Sequence, residues 1–200
     1  MGIETIIRAP AKVWLADADT AHPDIDTLND SLGTDWTEFG NSYWTDGGIT
    51  VTSVVETIKE RIDSSQYVQK SFNGDADISV SGTVKDFSLE TLSHFFNGND
   101  VVEVAAGTDD AGYREMDLEV SITKEEYAML VRFYTPYNSG GLSNAEHGAQ
   151  LWLPRVVFES GLGSVLSGSN TAENAFVISA MESDTLGIGK MRFKNADATG

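Results

Sequence analysis

The sequence predicts a mainly β fold: an antiparallel sandwich or barrel with one short helix packed on it and a long extended arm. Side chains alternate with a period of two in several segments, and one segment changes to a helical period after Ser88. Stretches rich in Gly and Ser separate the alternating segments. Many short strands with such turns are typical of sandwiches and barrels. We expect one domain over residues 1–200, with the arm at 17–48 included.

Two short strands are predicted before the arm. Ile3 to Arg8 and Lys12 to Ala16 are apolar enough for strands, and Pro10 between them favours an edge or a turn because it cannot donate to a ladder. Residues 17–48 show little periodicity and are rich in Asp, Thr, Asn and Gly. So long a connection in a compact domain is usually functional or disordered.

The arm carries more aromatic surface than a solvated linker does. We therefore expect it to order against a neighbouring copy, and the alternative is that its aromatic residues fold back onto their own domain. Removing residues 34–46 is then expected to leave a folded domain that no longer polymerises. The predicted anchors are Trp36, Phe39, Tyr43 and Trp44.

The segment from Asp75 to Phe96 predicts a strand that feeds a helix. Apolar residues and Gly82 occupy the even positions from Ala76 to Val84, with polar residues between them. Ser88 is placed to accept a hydrogen bond from a backbone N–H of the first helical turn, and Glu90 lies where the helix dipole favours negative charge. The predicted apolar stripe consists of Leu89, Leu92, Phe95 and Phe96, and the helix is expected to end at 97–100.

Further strands follow from alternation or apolar runs. Glu115 to Thr123 alternates clearly and predicts a strand, and Pro136 is expected to end the strand before it. The other predicted strands span 49–58, 67–72, 127–134, 151–159, 175–181 and 188–193.

The charge balance disfavours a nucleic-acid-binding protein. Thirteen Lys and Arg residues stand against thirty-one Asp and Glu, a formal charge of −18, whereas binding phosphates requires basic side chains. No Lys or Arg lies between Lys12 and Lys59, which makes the arm acidic. We expect the basic patch near the C-terminus to meet an acidic surface of another copy. That patch consists of Lys190, Arg192 and Lys194.

Motifs for chemistry are weak. The chain has no cysteine, which excludes disulfides, thiolate metal sites and a cysteine nucleophile. The three histidines are far apart, and the acidic loop at 17–26 lacks the glycine and closing glutamate of an EF-hand. No apolar run suits a membrane span or signal peptide. We expect no enzyme activity, cofactor, resident metal or membrane partner.

From Trp36 onward the order of features resembles the major tail tube proteins of long-tailed, siphovirus-like bacteriophages. The matching pieces are Trp44–Ile49 entering a strand, the alternating segment Asp77–Val84, and Asp86–Leu92 entering the helix. The resemblance covers the first half of the chain well and the second half in general strand content. It implies a structural virion protein, assembled in the host bacterial cytoplasm. Homohexameric rings of it would stack into a hollow tail tube for genome ejection.

The resemblance also implies partners and a lumen wall. The partners are other copies, the tape-measure, tail-tip and terminator proteins, and duplex DNA in passage without specific binding. Acidic side chains on the wall would leave no bound states for DNA, which carries about one negative charge per ~1.7 Å of axis. Parity leaves open whether the chosen positions face a lumen or ordinary solvent. The predicted lumen-facing residues are Asp75, Asp77, Glu115, Asp117 and Glu119.

Two other interpretations stay open. The chain is a candidate for a monomeric, acidic β-sandwich module that binds carbohydrate or calcium, with exposed aromatic residues as a stacking platform. It is also a candidate for another phage or related protein, such as a tail terminator, a capsid decoration protein or the tube of a type VI secretion system. Formation of rings or tubes by the purified protein separates the first alternative from a tail tube.

Overall fold

A computed structural model describes residues 6–23, 32–40, 44–60, 70–96, 99–108, 111–118, 123–137, 147–159, 164–167 and 170–193. Within these ranges the chain is mainly β, with antiparallel pairing and one short helix, which confirms the predicted fold class. The strands are β1 Ile6–Asp17, β2 Thr37–Phe39, β3 Trp44–Glu60, β4 Lys70–Val84, β5 Val101–Val104, β6 Tyr113–Met116, β7 Glu126–Tyr137, β8 His147–Phe158, β9 Ser164–Ser167, β10 Asn170–Ala180 and β11 Lys190–Phe193. The helix α1 is Leu89–Ser93, followed by a 3-10 turn at His94–Phe96.

Nine of these strands form one curled sheet. Its order is β2-β1-β7-β8-β10-β4-β3, with β11 added to β8 and β9 added to β10. Strand β3 also lies close to β1, so the two ends of the sheet approach each other. Strands β5 and β6 form a separate two-stranded sheet. The main sheet thus curls around a core in the manner of a sandwich or barrel.

The core lies on the concave side of the curled sheet, beneath the helix. Phe95, in the 3-10 turn, packs its ring against Phe39 and Phe158, with centroids 6.2 and 5.5 Å apart. Ser88 caps α1 by accepting from the Thr91 amide, and the Asp86 carboxylate accepts from the Ser88 amide at 2.9 Å. The capped helix is therefore confirmed, and it brings aromatic side chains to the core. Other fully buried core residues are Val13, Val80, Val84, Met129, Val131, Ala149, Val156 and Ile178.

Strand β4 confirms the alternation that the sequence predicts. Val80 and Val84 are fully buried, whereas Asp77 on the opposite parity is exposed. Gly82 has the same buried parity, and a Cβ there would lie 3.0 Å from the Phe176 ring, which favours glycine. The predicted strands at 67–72 and 75–85 join as one strand from Lys70.

Three predicted boundaries are wrong. Strand β1 is continuous through Pro10, and its register against β7 shifts between Arg8 and Lys12, which accommodates the missing amide hydrogen. Strand β7 likewise continues past Pro136. The strand expected over 115–123 ends at Met116, since residues 117–118 have no strand pairing, and 119–122 lie outside the described residues.

The arm is not independent of its own domain. Residues 37–39 pair with β1, and Phe39 is only 1% exposed among core aromatic rings. Burial of a phenylalanine stabilises a fold by about 3–5 kcal/mol relative to alanine. The expectation that removing 34–46 leaves a folded domain is therefore replaced by the expectation that this removal unfolds it.

Candidate lumen and assembly surfaces

The face of the main sheet opposite the core, here called the outer face, divides into two unlike halves. The covered half is the outer face of β1, β7, β8 and β11, and another part of the chain lies against its β8 and β11 strands. The bare half is the outer face of β3, β4 and β10. The strand registers define which residues of these strands lie on each half.

Basic side chains gather on the covered half. Lys12, Arg132, Gln150 and Arg192 occupy one row across β1, β7, β8 and β11. Arg132 is 1% exposed and lies over the Trp14 ring, with its guanidinium carbon 5.3 Å from the ring centroid. A cation over an aromatic face is attracted by the ring quadrupole, and the attraction is larger where water is excluded.

Residues 19–23, here called the strap, lie across this half. The Asp19 amide donates to the Pro154 carbonyl at 2.7 Å, and Trp152 Nε1 donates to the Thr20 carbonyl at 3.2 Å. The His22 ring stacks on Trp152, with centroids 5.0 Å apart and planes 4° apart. The strap therefore keeps Trp152 buried on a face that would otherwise be open to water.

Polar contacts extend the strap's attachment at both ends. Gln150 Nε2 lies 2.9 Å from His22 Nε2 and donates to the Pro23 carbonyl at 3.1 Å. Arg155 donates to Asp19 Oδ2 at 2.5 Å. Hydrogen bonding by Ser183, and then by Arg155, lowers the pKa of Asp19. The strap thus carries an ionised carboxylate to one of the basic residues of the covered half.

The bare half has a different chemistry. Its rows pair Thr50 with Ser81 and Thr52 with Ser79, and continue to β10 at Val177 and Ser179. Asp77 is exposed at the end of this surface. No Lys or Arg occurs in 50–54, 77–83 or 175–179. This half is a hydroxyl-rich, neutral to acidic surface.

Beyond the bare half, β3 and β4 continue as a two-stranded ribbon. Strand β10 pairs with β4 from Ser79 to Val84, while the β3–β4 pairing continues to Glu60 and Lys70. Val51 lies opposite the core residue Val80, and Val55 has the same parity, yet they are 38% and 47% exposed. An exposed apolar surface of core parity therefore runs from Val51 into the ribbon at Val55.

The predicted lumen residues do not share one surface. Asp77 lies on the bare half, but Glu115 and Asp117 lie at the β5–β6 hairpin, where Arg114 pairs with Glu90 of α1. Because α1 covers the core side, the hairpin lies on the other side of the sheet from Asp77. Glu115 and Asp117 thus belong to a different sheet from Asp77, and their place at a lumen stays a prediction. Asp75 lies in β4, but its side chain is outside what the structure describes. Glu119 lies outside the described residues.

The predicted arm anchors also separate. Phe39 belongs to the core of its own subunit, so its assignment as an inter-subunit anchor is wrong. Trp36 is partly buried, and Trp44 opens β3 opposite Val84. Tyr43 lies outside the described residues. Trp36, Tyr43 and Trp44 stay predictions.

The predicted basic patch begins at β11. Lys190 is exposed, and Arg192 is partly buried where its Nη1 approaches the Pro23 carbonyl at 3.5 Å. Lys194 lies outside the described residues. A contact of this patch with an acidic surface of another copy stays a prediction.

An open cleft of about 330 Å³ lies between β2 and α1. Its two carboxylates are engaged, Glu38 with Lys12 at 3.3 Å and Glu90 with Arg114. Burial of His94 among the Phe39, Tyr127 and Phe158 rings lowers its pKa to about 4, so it is neutral at pH 7. In the described part of the chain, no group of three or more His, Cys, Asp or Glu is arranged to hold a metal ion.

No protein-family model matches this chain, and no curated protein matches it. Across the ranges described, no helix has the length and apolar character needed to cross a membrane. The features that sequence reasoning missed are the strap on Trp152 and the exposed valines of the ribbon. A signal for the second was present, because adjacent Val54 and Val55 break the alternation and place apolar side chains on both faces.

Proposed function

We propose that copies of this chain close into rings, hexameric as the resemblance implies, that stack into the hollow tail tube of a bacteriophage and conduct its DNA. The single observation that carries this proposal is the division of charge on the outer face. Basic side chains lie on the half that the strap covers, and the half left bare has none in 50–54, 77–83 or 175–179.

The bare half suits a wall along which DNA moves. Each Lys or Arg on such a wall would bind a phosphate and release counterions, so the duplex would pass through a series of bound states. Hydroxyl groups with Asp77 at the margin provide no such sites. We therefore assign the bare half to the bore, and Asp77 is the predicted lumen residue described on that half.

The ribbon supports self-assembly. Val51 and Val55 extend an apolar core face beyond the subunit, and Val54 is 56% exposed on the other face. Within the ranges described, β3 is the last strand of the sheet path, and an exposed, apolar edge strand is a template for pairing with another chain. A neighbouring copy would cover both the edge and the valines.

Sedimentation velocity combined with negative-stain imaging tests the proposal. We expect the purified wild-type protein to form annuli or tubes as its concentration rises, and V51N/V55N to remain smaller because a second copy would bury amides against its core. T50N is the matched control, since Thr50 is exposed on the outer face of the same strand. Strictly monomeric wild-type protein at high concentration would overturn the proposal and favour the binding-module alternative.

The proposal also implies a location and a set of partners for the protein. The protein would be a structural component of the virion tail, assembled in the host bacterial cytoplasm and without enzymatic activity. Its partners would be other copies of itself and the tape-measure, tail-tip and terminator proteins. Duplex DNA would pass without specific binding.

A further inference from the structure

The β5–β6 hairpin is a weakly supported part of the subunit. Its strands pair with each other and, in the described ranges, with no strand of the main sheet. Arg114 ties it to Glu90 of α1, but both side chains are about half exposed. A two-stranded hairpin is marginally stable unless something packs on it. In the described ranges, α1 packs against one side of the hairpin, and side chains on its other side are exposed.

The side of the hairpin turned away from α1 is apolar and ringed by acids. Glu103 opposes Arg114 on the helix side, so Val102 and Tyr113 point away from it. Val102 is 51% exposed and Tyr113 is 55% exposed. Exposed carboxylates surround them at Asp100, Glu115 and Asp117. We call Val102, Tyr113 and these three acids the hairpin patch.

Strand β11 presents the opposite combination. Lys190 is exposed, Met191 is 48% exposed, and Arg192 lies beside them. Along its other side β11 pairs with β8, from Lys190 opposite Trp152 to Phe193 opposite Ala149. We call Lys190, Met191 and Arg192 the β11 patch. In the described ranges β11 is an edge strand. Met191 has core parity, whereas Lys190 and Arg192 lie on the outer face, so the open edge of β11 is where all three can be reached together.

The β11 patch lies at one end of a row of the main sheet, and the hairpin is attached near the other end through α1. The row runs from Phe39 through Val13, Val131 and Leu151 to Met191. Four strand spacings separate its ends, roughly 19 Å along the sheet. The hairpin belongs to the β2 end, because Glu90 and Thr91 of α1 line the same cleft as Thr37 and Glu38. Within one subunit the two patches are therefore attached at different ends of this row.

We propose that the hairpin patch of one copy docks on the β11 patch of the next copy, head to tail. The inference rests on the self-assembly proposed above and names the surfaces that perform it. Opposite charges steer and orient such a contact, while Tyr113 and Val102 cover Met191. A contact between different surfaces on opposite edges generates a ring if its rotation closes.

The absence of cysteine from the natural chain makes a clean test possible. We expect oxidised Y113C/M191C to form a ladder of disulfide-linked oligomers on a non-reducing gel. An equimolar mixture of Y113C and M191C should stop at dimers, since each copy then has one thiol. Each single variant alone should stay uncrosslinked, because a head-to-tail contact does not bring two copies of one position together.

The outcomes separate this inference from the proposed function. If wild-type protein assembles but the mixture yields no dimer, the docking surfaces are wrong and the tube proposal stands. Dimers of Y113C alone would show a two-fold contact and overturn the inference. Failure of the wild-type protein to assemble overturns both.

Charge reversal gives an independent measurement. We expect E115K to raise the protein concentration needed for assembly about tenfold, which corresponds to about 1.4 kcal/mol. Adding K190E should restore most of that loss, because the pair is again complementary. E159K is the matched control, an exposed glutamate outside both patches that should leave the assembly concentration unchanged. An equal effect of E115K with and without K190E would contradict the contact.

Discussion

The two halves of the outer face come from one sheet but have opposite relations to the rest of the chain. On the covered half, Arg132, Gln150 and Trp152 are buried, and the strap contacts Gln150 and Trp152. On the bare half, Ser79, Ser81 and Thr83 stay partly exposed, with no described segment across them. Outer-face side chains of this sheet are thus buried where another segment packs against them. Hydroxyl side chains occupy the part of the outer face that no described segment covers.

The comparison also explains how an acidic protein can place its few basic groups. Arg132 is buried over Trp14, and Lys12 and Arg155 pair with Glu38 and Asp19, so each of these cations is stabilised by its neighbours. The same cations on the bare half would bind phosphate. The sheet can therefore carry Lys12, Arg132 and Arg155 on the covered half, away from the face that we assign to the bore.

The largest effect should come from removing the aromatic centre of the covered half. W152A deletes a side chain that is 1% exposed and leaves a cavity beneath the strap, so we expect a loss of about 3–5 kcal/mol in the free energy of unfolding. S81A on the bare half is the control and should change it by less than about 0.5 kcal/mol. Urea denaturation measures both. Equal losses of unfolding free energy in W152A and S81A would show that burial on the covered half contributes no more stability than the bare half does.

The next largest change in the free energy of unfolding should come from acid, through the buried His94 on the core side of the sheet. An imidazole in the unfolded chain takes up a proton near its ordinary pKa of 6.5, whereas His94 in the folded protein does so near 4. Between these values acid favours the unfolded chain, so the free energy of unfolding should fall by up to about 3 kcal/mol as pH drops from 6.5 to 4.

Measuring the free energy of unfolding of H94F across the same range checks this prediction. Phenylalanine keeps an aromatic ring beside Phe158 and has no titrating group, so the slope due to His94 should disappear. An unchanged slope between pH 6.5 and 5 would assign the acid sensitivity to groups other than His94.

A smaller effect should follow from loosening the strap. H22A removes the ring stacked on Trp152 and the contact with Gln150, and we expect a loss of about 1–2 kcal/mol in the free energy of unfolding. A21S is the matched control because Ala21 is exposed on the same strap. Thermal unfolding of the pair decides whether the strap stabilises the covered half or only lies on it.

The smallest effect on stability should accompany the largest change in DNA binding. Asp77 is exposed, so D77K should alter the free energy of unfolding by less than about 0.5 kcal/mol. In assembled tubes it would place a ring of cations on the bore and raise DNA retention, with a strong dependence on salt. Filter binding at two salt concentrations measures this, with E159K tubes as the control. Equal retention by both variants would contradict the assignment of the bare half to the bore.

Local pattern predicted much of the fold and little of the surface division. Alternation from Ala76 to Val84 and the cap at Ser88 depend on neighbours in sequence, and both are confirmed. The strap on Trp152 and the burial of Phe39 depend on contacts between distant segments, which no periodicity encodes. The strand predicted after Glu115 ends early, although the same alternation is present, because β6 has a partner only as far as Met116.

Cryo-electron microscopy of the assembled wild-type protein is the most direct test of the central claim, that the bare half lines a bore. We expect annuli whose inner surface carries Ser79, Ser81 and Asp77, with the strap and Trp152 away from the channel. Annuli with the covered half facing the channel, or particles without a channel, would contradict it.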